Sequence, residues 1–203
     1  MTATPSDQDA QSQPVGPSHE EPDSGTHQLI AQNPDIRADD YVPALWVPLS
    51  RLVSARRRLT TMIEQLPSAA WDAPSACPGW TRRDLLAHLV SWDAQHLNSL
   101  DAIRAGSPIP SERWLPDPAD SAVTQNGWNQ REIDHRASTS IADLATTYGA
   151  GLTAILDRLT LLNAEQLLHA FGFAANALAA MESHVKHINQ HADDIVNGPK
   201  MMR

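Results

Sequence analysis

The residues best suited to chemistry lie near the C-terminus, where His184, His187 and His191 fall within eight residues of a helical pattern. At 100° per residue the three imidazoles share one sector of the helix, bordering an apolar stripe of Leu178, Met181, Val185, Ile188, Ala192 and Ile195. That sector is the rim of a core, where a polar pocket can open. His187 and His191 form an i, i+4 pair whose side chains project about 6 Å apart and can converge on one cation at the roughly 2.1 Å of a zinc–imidazole bond. His184 and His191 stand about 10.5 Å apart along the axis, too far to share one tetrahedral ion easily. Two of the three can therefore ligate. A single histidine on a helix rim is ordinarily solvated or bonded to a carbonyl; a pair at this spacing beside an apolar stripe makes a metal site a real competitor.

A third ligand has to come from another helix. The same construction applied to residues 82–106 places His88 at the border of a stripe made by Leu85, Leu86, Leu89, Val90, Leu97 and Leu100, with Trp92 one turn further along. His96 falls inside that stripe, where a buried histidine bonded to a neighbour is a simpler account than ligation. Asp93 lies on the same buried side. A carboxylate there requires a partner, so it is expected either to support the site from behind or to pair with Arg51 or Arg131.

The elements that must position these groups are legible from caps and periodicity. Leu49, Leu52, Val53, Leu59, Ile63 and Leu66 recur at helical spacing between Pro48 and Pro67. Within that helix the Arg56-Arg57-Arg58 run is read as a solvated face. Thr81 and Asp84 have the spacing of a capping box, flanked by Trp80 and Leu85 as a hydrophobic staple, so a second helix starts there and runs to about Gly106. A Pro-rich connection over 107–125 is long enough to act as a lid. A short helix is expected over 128–136. Ser140 and Asp143 offer a second capping box ahead of Ile141, Leu144, Tyr148, Leu152, Ile155, Leu159 and Leu162, followed by a helical turn within 163–170. The last helix is expected over about 174–196, stopped by Asn197-Gly198-Pro199. Four long helices without a convincing strand predict an all-α four-helix bundle.

Composition narrows the function classes. The chain has 203 residues and a formal charge of -9, but residues 1–40 carry eight carboxylates against Arg37 alone, which leaves about -2 for the remainder. Residues 1–40 have few large apolar side chains and are expected to be a disordered acidic tail, with one domain over 41–203. No extended basic surface is present to neutralise phosphates, so nucleic-acid binding is disfavoured. No stretch has the roughly 20 apolar residues of a membrane span and the N-terminus lacks a signal pattern, so the expected location is the cytoplasm. Cys77 is the single cysteine, so any metal is expected to be held by histidine and carboxylate. Thirteen arginines against two lysines hint at a GC-rich bacterial source.

The segment Pro78-Gly79-Trp80-Thr81-x-x-Asp84-Leu85-Leu86-Ala87-His88-Leu89, then Trp92, then His187-x-x-x-His191-x-x-x-Ile195, resembles the DinB/YfiT-like superfamily of four-helix bundles over about 48–198. The resemblance implies a divalent metal held by one side chain of helix two and two of the last helix: His88, His187 and His191. Two branches are similar. The Cys77-Pro78-Gly79-Trp80 opening resembles the N-terminal domain of actinobacterial mycothiol-dependent enzymes related to maleylpyruvate isomerase, although their Glu-x-x-x-His is His187-x-x-x-His191 here. The C-terminal motif, with Asn129 and the Leu162-to-Leu167 segment, is similar to the ClbS/DfsB group, which protects its host against a reactive natural product.

What the resemblance implies is a metal-dependent enzyme in which a thiol of the mycothiol type, or water, attacks a small electrophile. Zinc is the first candidate, with nickel and iron behind it. The ClbS-like alternative hydrolyses or sequesters its compound, and a non-catalytic binding bundle is the third reading. His184 and Asp93 are the expected catalytic proton carriers, and Trp92, Trp128 and Asn129 the expected substrate pocket, with Trp80 as a further possible wall. The expected partner is a small molecule, with homodimerisation as the other possibility.

Overall fold

The computed structural model describes residues 36–108 and 124–198. Five α-helices form the body: α1 (Trp46–Gln65), α2 (Arg82–Arg104), α3 (Gln125–His135), α4 (Ile141–Leu159) and α5 (Ala177–Asn197). Among the described residues there are no strands, only the isolated bridges Pro74–Thr81 and Phe171–Ala174. α1 packs on α5 and α2 on α4, while α3 lies against the outer flank of α2. This is the expected all-α bundle, with one short helix added to its side.

Each long helix after α1 starts at a side-chain cap. Thr81 Oγ1 accepts the Asp84 amide at 3.2 Å while the Asp84 carboxylate accepts the Thr81 amide at 2.8 Å, completing the capping box. Ser140 caps α4 by accepting the Asp143 amide, but its hydroxyl donates to the Asp143 carboxylate at 2.6 Å, so only half of the expected box forms. Asn176 caps α5 by accepting the Ala179 amide at 2.9 Å. The last helix therefore begins later than its apolar pattern suggests, and residues 171–174 form a tight turn instead. Gly198 ends α5 with φ 64°, as a C-terminal glycine should.

The core is made by the predicted stripes: Leu49, Leu52 and Leu59 of α1, Leu85, Leu86 and Leu89 of α2, Leu144 and Ile155 of α4, and Ile188, Ala192 and Ile195 of α5. Two expectations are corrected. Arg56 is not on a solvated face; it is buried at 2% exposure, because it falls at i+4 from Leu52 and i-3 from Leu59 and so lies within the apolar stripe. The N-terminal boundary also moves: Ile36 is buried in the core and Ala38–Asp40 form a 3₁₀ turn, so the folded body includes residues assigned to the tail. Residues 1–35, 109–123 and 199–203 lie outside the described residues, and with them most of the acidic tail and of the proposed 107–125 lid.

Candidate metal centre

The loop entering α2 builds one wall of the site. Cys77-Pro78-Gly79-Trp80 is a β-turn closed by the Trp80 amide donating to the Cys77 carbonyl at 3.2 Å, and Gly79 supplies the positive φ of 83°. The Ala76 amide donates to the Asp194 carbonyl at 3.3 Å, tying this loop to the C-terminal end of α5. Cys77 and Trp80 are thereby held across from the α5 histidines. The capping box then fixes the start of α2, which places His88 two turns in.

His88, His187 and His191 come together. One nitrogen from each lies within 4.8 Å of the other two, and His88 Nε2 stands 3.0 Å from His187 Nε2. The His187 and His191 rings are 4.5 Å apart, and each lies about 5 Å from the His88 ring. His191 Nδ1 is 3.1 Å from Asp194 Oδ2; a carboxylate only accepts, so Nδ1 carries the hydrogen and Nε2 keeps a lone pair. Cys77 also donates to Asp194 Oδ2, at 3.5 Å. A second group, Cys77, His191 and Asp194, meets the same distance limit, but burial, reinforced by the Asp194 charge, pushes the Cys77 thiol up to about 11. Cys77 is thus a protonated donor to Asp194 at neutral pH.

Burial is the main reason the other imidazoles stay neutral. It pulls His88 down to about 3, aided by His191, and pulls His187 further, aided by His191 and His88. His191 is lowered by burial against the pull of Asp194. A neutral imidazole is the form that ligates, so the site needs no deprotonation at pH 7. Burial also carries His96 down to about 3. The unfolded chain takes up protons near pH 6.5 and the folded chain does not, so stability is present above that pH and is lost as pH falls below it. Metal-free protein should melt roughly 10 °C lower at pH 5 than at pH 7.5. Equal melting temperatures in a calorimetric comparison would show that these histidines titrate normally.

Asp93 and His184 lie behind this cluster, in a separate network. Arg56 grips Asp93 with both nitrogens, Nη1 to Oδ1 at 2.9 Å and Nη2 to Oδ2 at 2.6 Å. Arg56 Nη2 also donates to the Tyr148 carbonyl at 2.6 Å, and the guanidinium sits 3.6 Å over the Tyr148 ring. Burial alone would raise the Asp93 carboxyl, but Arg56 and His184 hold it below its ordinary value. The expected pairing with Arg51 or Arg131 is therefore corrected: Arg56 is the partner, and exposed Arg51 instead lies 3.8 Å from Glu182. His184 Nε2 lies 3.3 Å from Asp93 Oδ1, and its ring stacks on His96 at 4.0 Å. His96 is buried as expected, with Nδ1 donating to the Trp92 carbonyl at 2.8 Å.

Two cavities flank the histidine cluster. The outer one, about 490 Å³, is lined by Cys77, Trp80, His88, His187, His191 and Asn129 among others. The inner one, about 170 Å³, is lined by Trp92, His96, Gln125, Phe173, Ser183, His184 and His187. The three expected pocket residues thus separate: Asn129 lines the outer cavity, Trp92 the inner one, and buried Trp128 backs Trp92 edge-on at 5.6 Å. Sequence reading passed over Asp194 and Phe173. Asp194 was detectable as the i+3 neighbour of His191; Phe173 reaches the site through the turn before α5, which helical periodicity does not describe.

The family model of the mycothiol maleylpyruvate isomerase N-terminal domain matches residues 52–195. The chain belongs to this family. The match runs from α1 to the last turn of α5, so it takes in all three histidines, and it sides with the branch that the Cys77-to-Trp80 opening resembles. No curated protein and no solved structure matches the chain. Among the described residues, no helix of this family member is long and apolar enough to cross a membrane.

Proposed function

We propose that the chain is a metal-dependent enzyme that uses a low-molecular-weight thiol of the mycothiol type to attack a small electrophile in the outer cavity. The observation that carries this reading is the convergence of His88, His187 and His191 at the wall of an open pocket, with His191 held by Asp194. Three neutral imidazole nitrogens suit zinc, and equally nickel or iron; a carboxylate bonded to the far nitrogen of one ligand is the usual support of such a site. Membership in the mycothiol family favours thiol over water as the nucleophile. A divalent cation at these histidines would lower the pKa of a thiol or water reaching it into the physiological range.

The protein's own groups divide the remaining work. Gln125, Asn126 and Asn129 present amide side chains to the outer cavity, a lining that suits a hydroxyl-rich thiol. Gln130 is committed elsewhere: it accepts from Trp80 Nε1 at 3.1 Å and donates to Asp134 at 2.9 Å, fixing the Trp80 wall. Of the two expected proton carriers, Asp93 has both oxygens taken by Arg56, and His184, 3.3 Å from it, lines the inner cavity and not the outer one, so neither is given a step in the outer-cavity reaction. The deciding experiment follows mycothiol consumption and product formation with a panel of small electrophiles, using zinc-loaded and chelated protein. Turnover should require both metal and thiol. Full turnover by a verified metal-free preparation would overturn the reading, and turnover without thiol would transfer it to the hydrolytic alternative.

A further inference from the structure

The inner cavity has a wall that the proposed reaction does not use. His96 is 4% exposed, and its Nδ1 must carry the hydrogen because it meets only the Trp92 carbonyl. Its Nε2 is therefore a bare lone pair, and among the described residues it has no hydrogen-bond partner. His184 Nδ1, on the stacked neighbouring ring, is likewise buried without a hydrogen-bond partner. Leaving buried acceptors unpaired is costly, and natural interiors seldom do so without a ligand or water to meet them.

Trp92 and Phe173 add aromatic surface to the lining. Phe173 stands 5.3 Å from Trp92 and 5.5 Å from His96, and Phe171 lies 5.5 Å from His96 on the far side. A volume of about 170 Å³ is close to that of protein cavities that hold a single benzene ring, which is roughly 150 Å³. Among the described residues the lining contains no lysine or arginine, and the nearby guanidinium of Arg56 is taken by Asp93 and the Tyr148 carbonyl. A carboxylate would thus enter without a counter-charge from the described residues.

We propose that this inner cavity is a second ligand site, which takes one uncharged ring bearing a hydroxyl or N–H that donates to His96 Nε2. Ser183, an exposed lining residue on α5, marks its mouth, and His187 and Gln125 form the partition from the outer cavity. The site does not depend on a metal, so it stands or falls separately from the proposed thiol chemistry.

Calorimetric titration of the metal-free full chain with phenol, anisole and benzoate tests it. Phenol should bind saturably at one site, anisole at least about tenfold more weakly because it has no proton to donate, and benzoate not at all. His96→Leu should erase the preference for phenol over anisole. Ser183→Trp, at an exposed position that leaves the buried wall intact, should block both ligands, and it decides the matter if the His96 variant does not fold. Equal affinity for phenol and anisole, binding unchanged in Ser183→Trp, or no saturable heat with phenol, as for a cavity that serves only water, would each overturn the proposal.

Discussion

His88→Ala will purify without its divalent metal and without thiol-consuming turnover, while its circular dichroism remains that of a helical bundle. The reason is the division of labour around α2. His88 supplies one of three converging nitrogens, and a two-histidine remnant on α5 offers a cation only a pair of ligands. The helix itself is held by other residues: the Thr81–Asp84 box at its start and Leu85, Leu86 and Leu89 in the core. Because His88 is buried between the Trp80 and Trp92 rings, its removal also leaves a small void, so a melting temperature lower by several degrees is expected beside the loss of metal. Asp194→Asn should give a graded version. It keeps the shape but replaces the carboxylate that fixes His191, and metal affinity should fall by about 10- to 100-fold. Elemental analysis checks both variants. Metal content unchanged in His88→Ala would remove this histidine from the site and leave the pocket without its proposed chemistry.

The largest effect on stability is expected at Arg56. Arg56→Ala would strand the Asp93 carboxylate in the interior, and removing one partner of a buried ion pair typically costs about 3–5 kcal/mol. Arg56→Lys should rescue little, since a single ammonium cannot reproduce the two-pronged grip on Asp93 together with the bond to the Tyr148 carbonyl. The deficit should shrink on acidification. Without Arg56, burial raises the Asp93 carboxyl above its unfolded value, so in the folded variant Asp93 takes up a proton before it does in the unfolded chain, and the variant's deficit relative to the parent narrows as pH falls. Joint replacement, Arg56→Met with Asp93→Leu, should recover much of the loss by removing both charges. Gly151 is part of the same device: a Cβ there would lie 2.5 Å from Asp93 Oδ2 and 3.1 Å from Arg56 Nη2, so Gly151→Ala should destabilise by about 1–3 kcal/mol. Denaturation midpoints measured across pH check the set, and an Arg56→Ala variant as stable as the parent would show that the pair is dispensable.

What the sequence determined alone is what short-range chemistry encodes. Thr81 with Asp84, the Ser140 cap and the Gly198 stop act within four residues of themselves, so these three helix ends were legible without knowing any neighbour, whereas the Asn176 start of α5 was not. The i, i+4 spacing of His187 and His191, and the rim position of His88, follow from one helical period, and the proposed ligand set needed only that period plus the family's motif. Tertiary structure decided the pairings that period cannot express. Arg56 and Asp93 lie 37 positions apart, and Cys77 and Asp194 lie 117 apart; each pair meets because two helices, or a loop and a helix end, pack at one particular register. A hydrophobic stripe states which face turns inward but not which buried polar group it meets, so Asp93 announced its need for a cation, and Arg51 and Arg131 were the expected answers. Arg56, pointed inward by its place between Leu52 and Leu59 and admitted by the missing side chain at Gly151, is the arginine that reaches it.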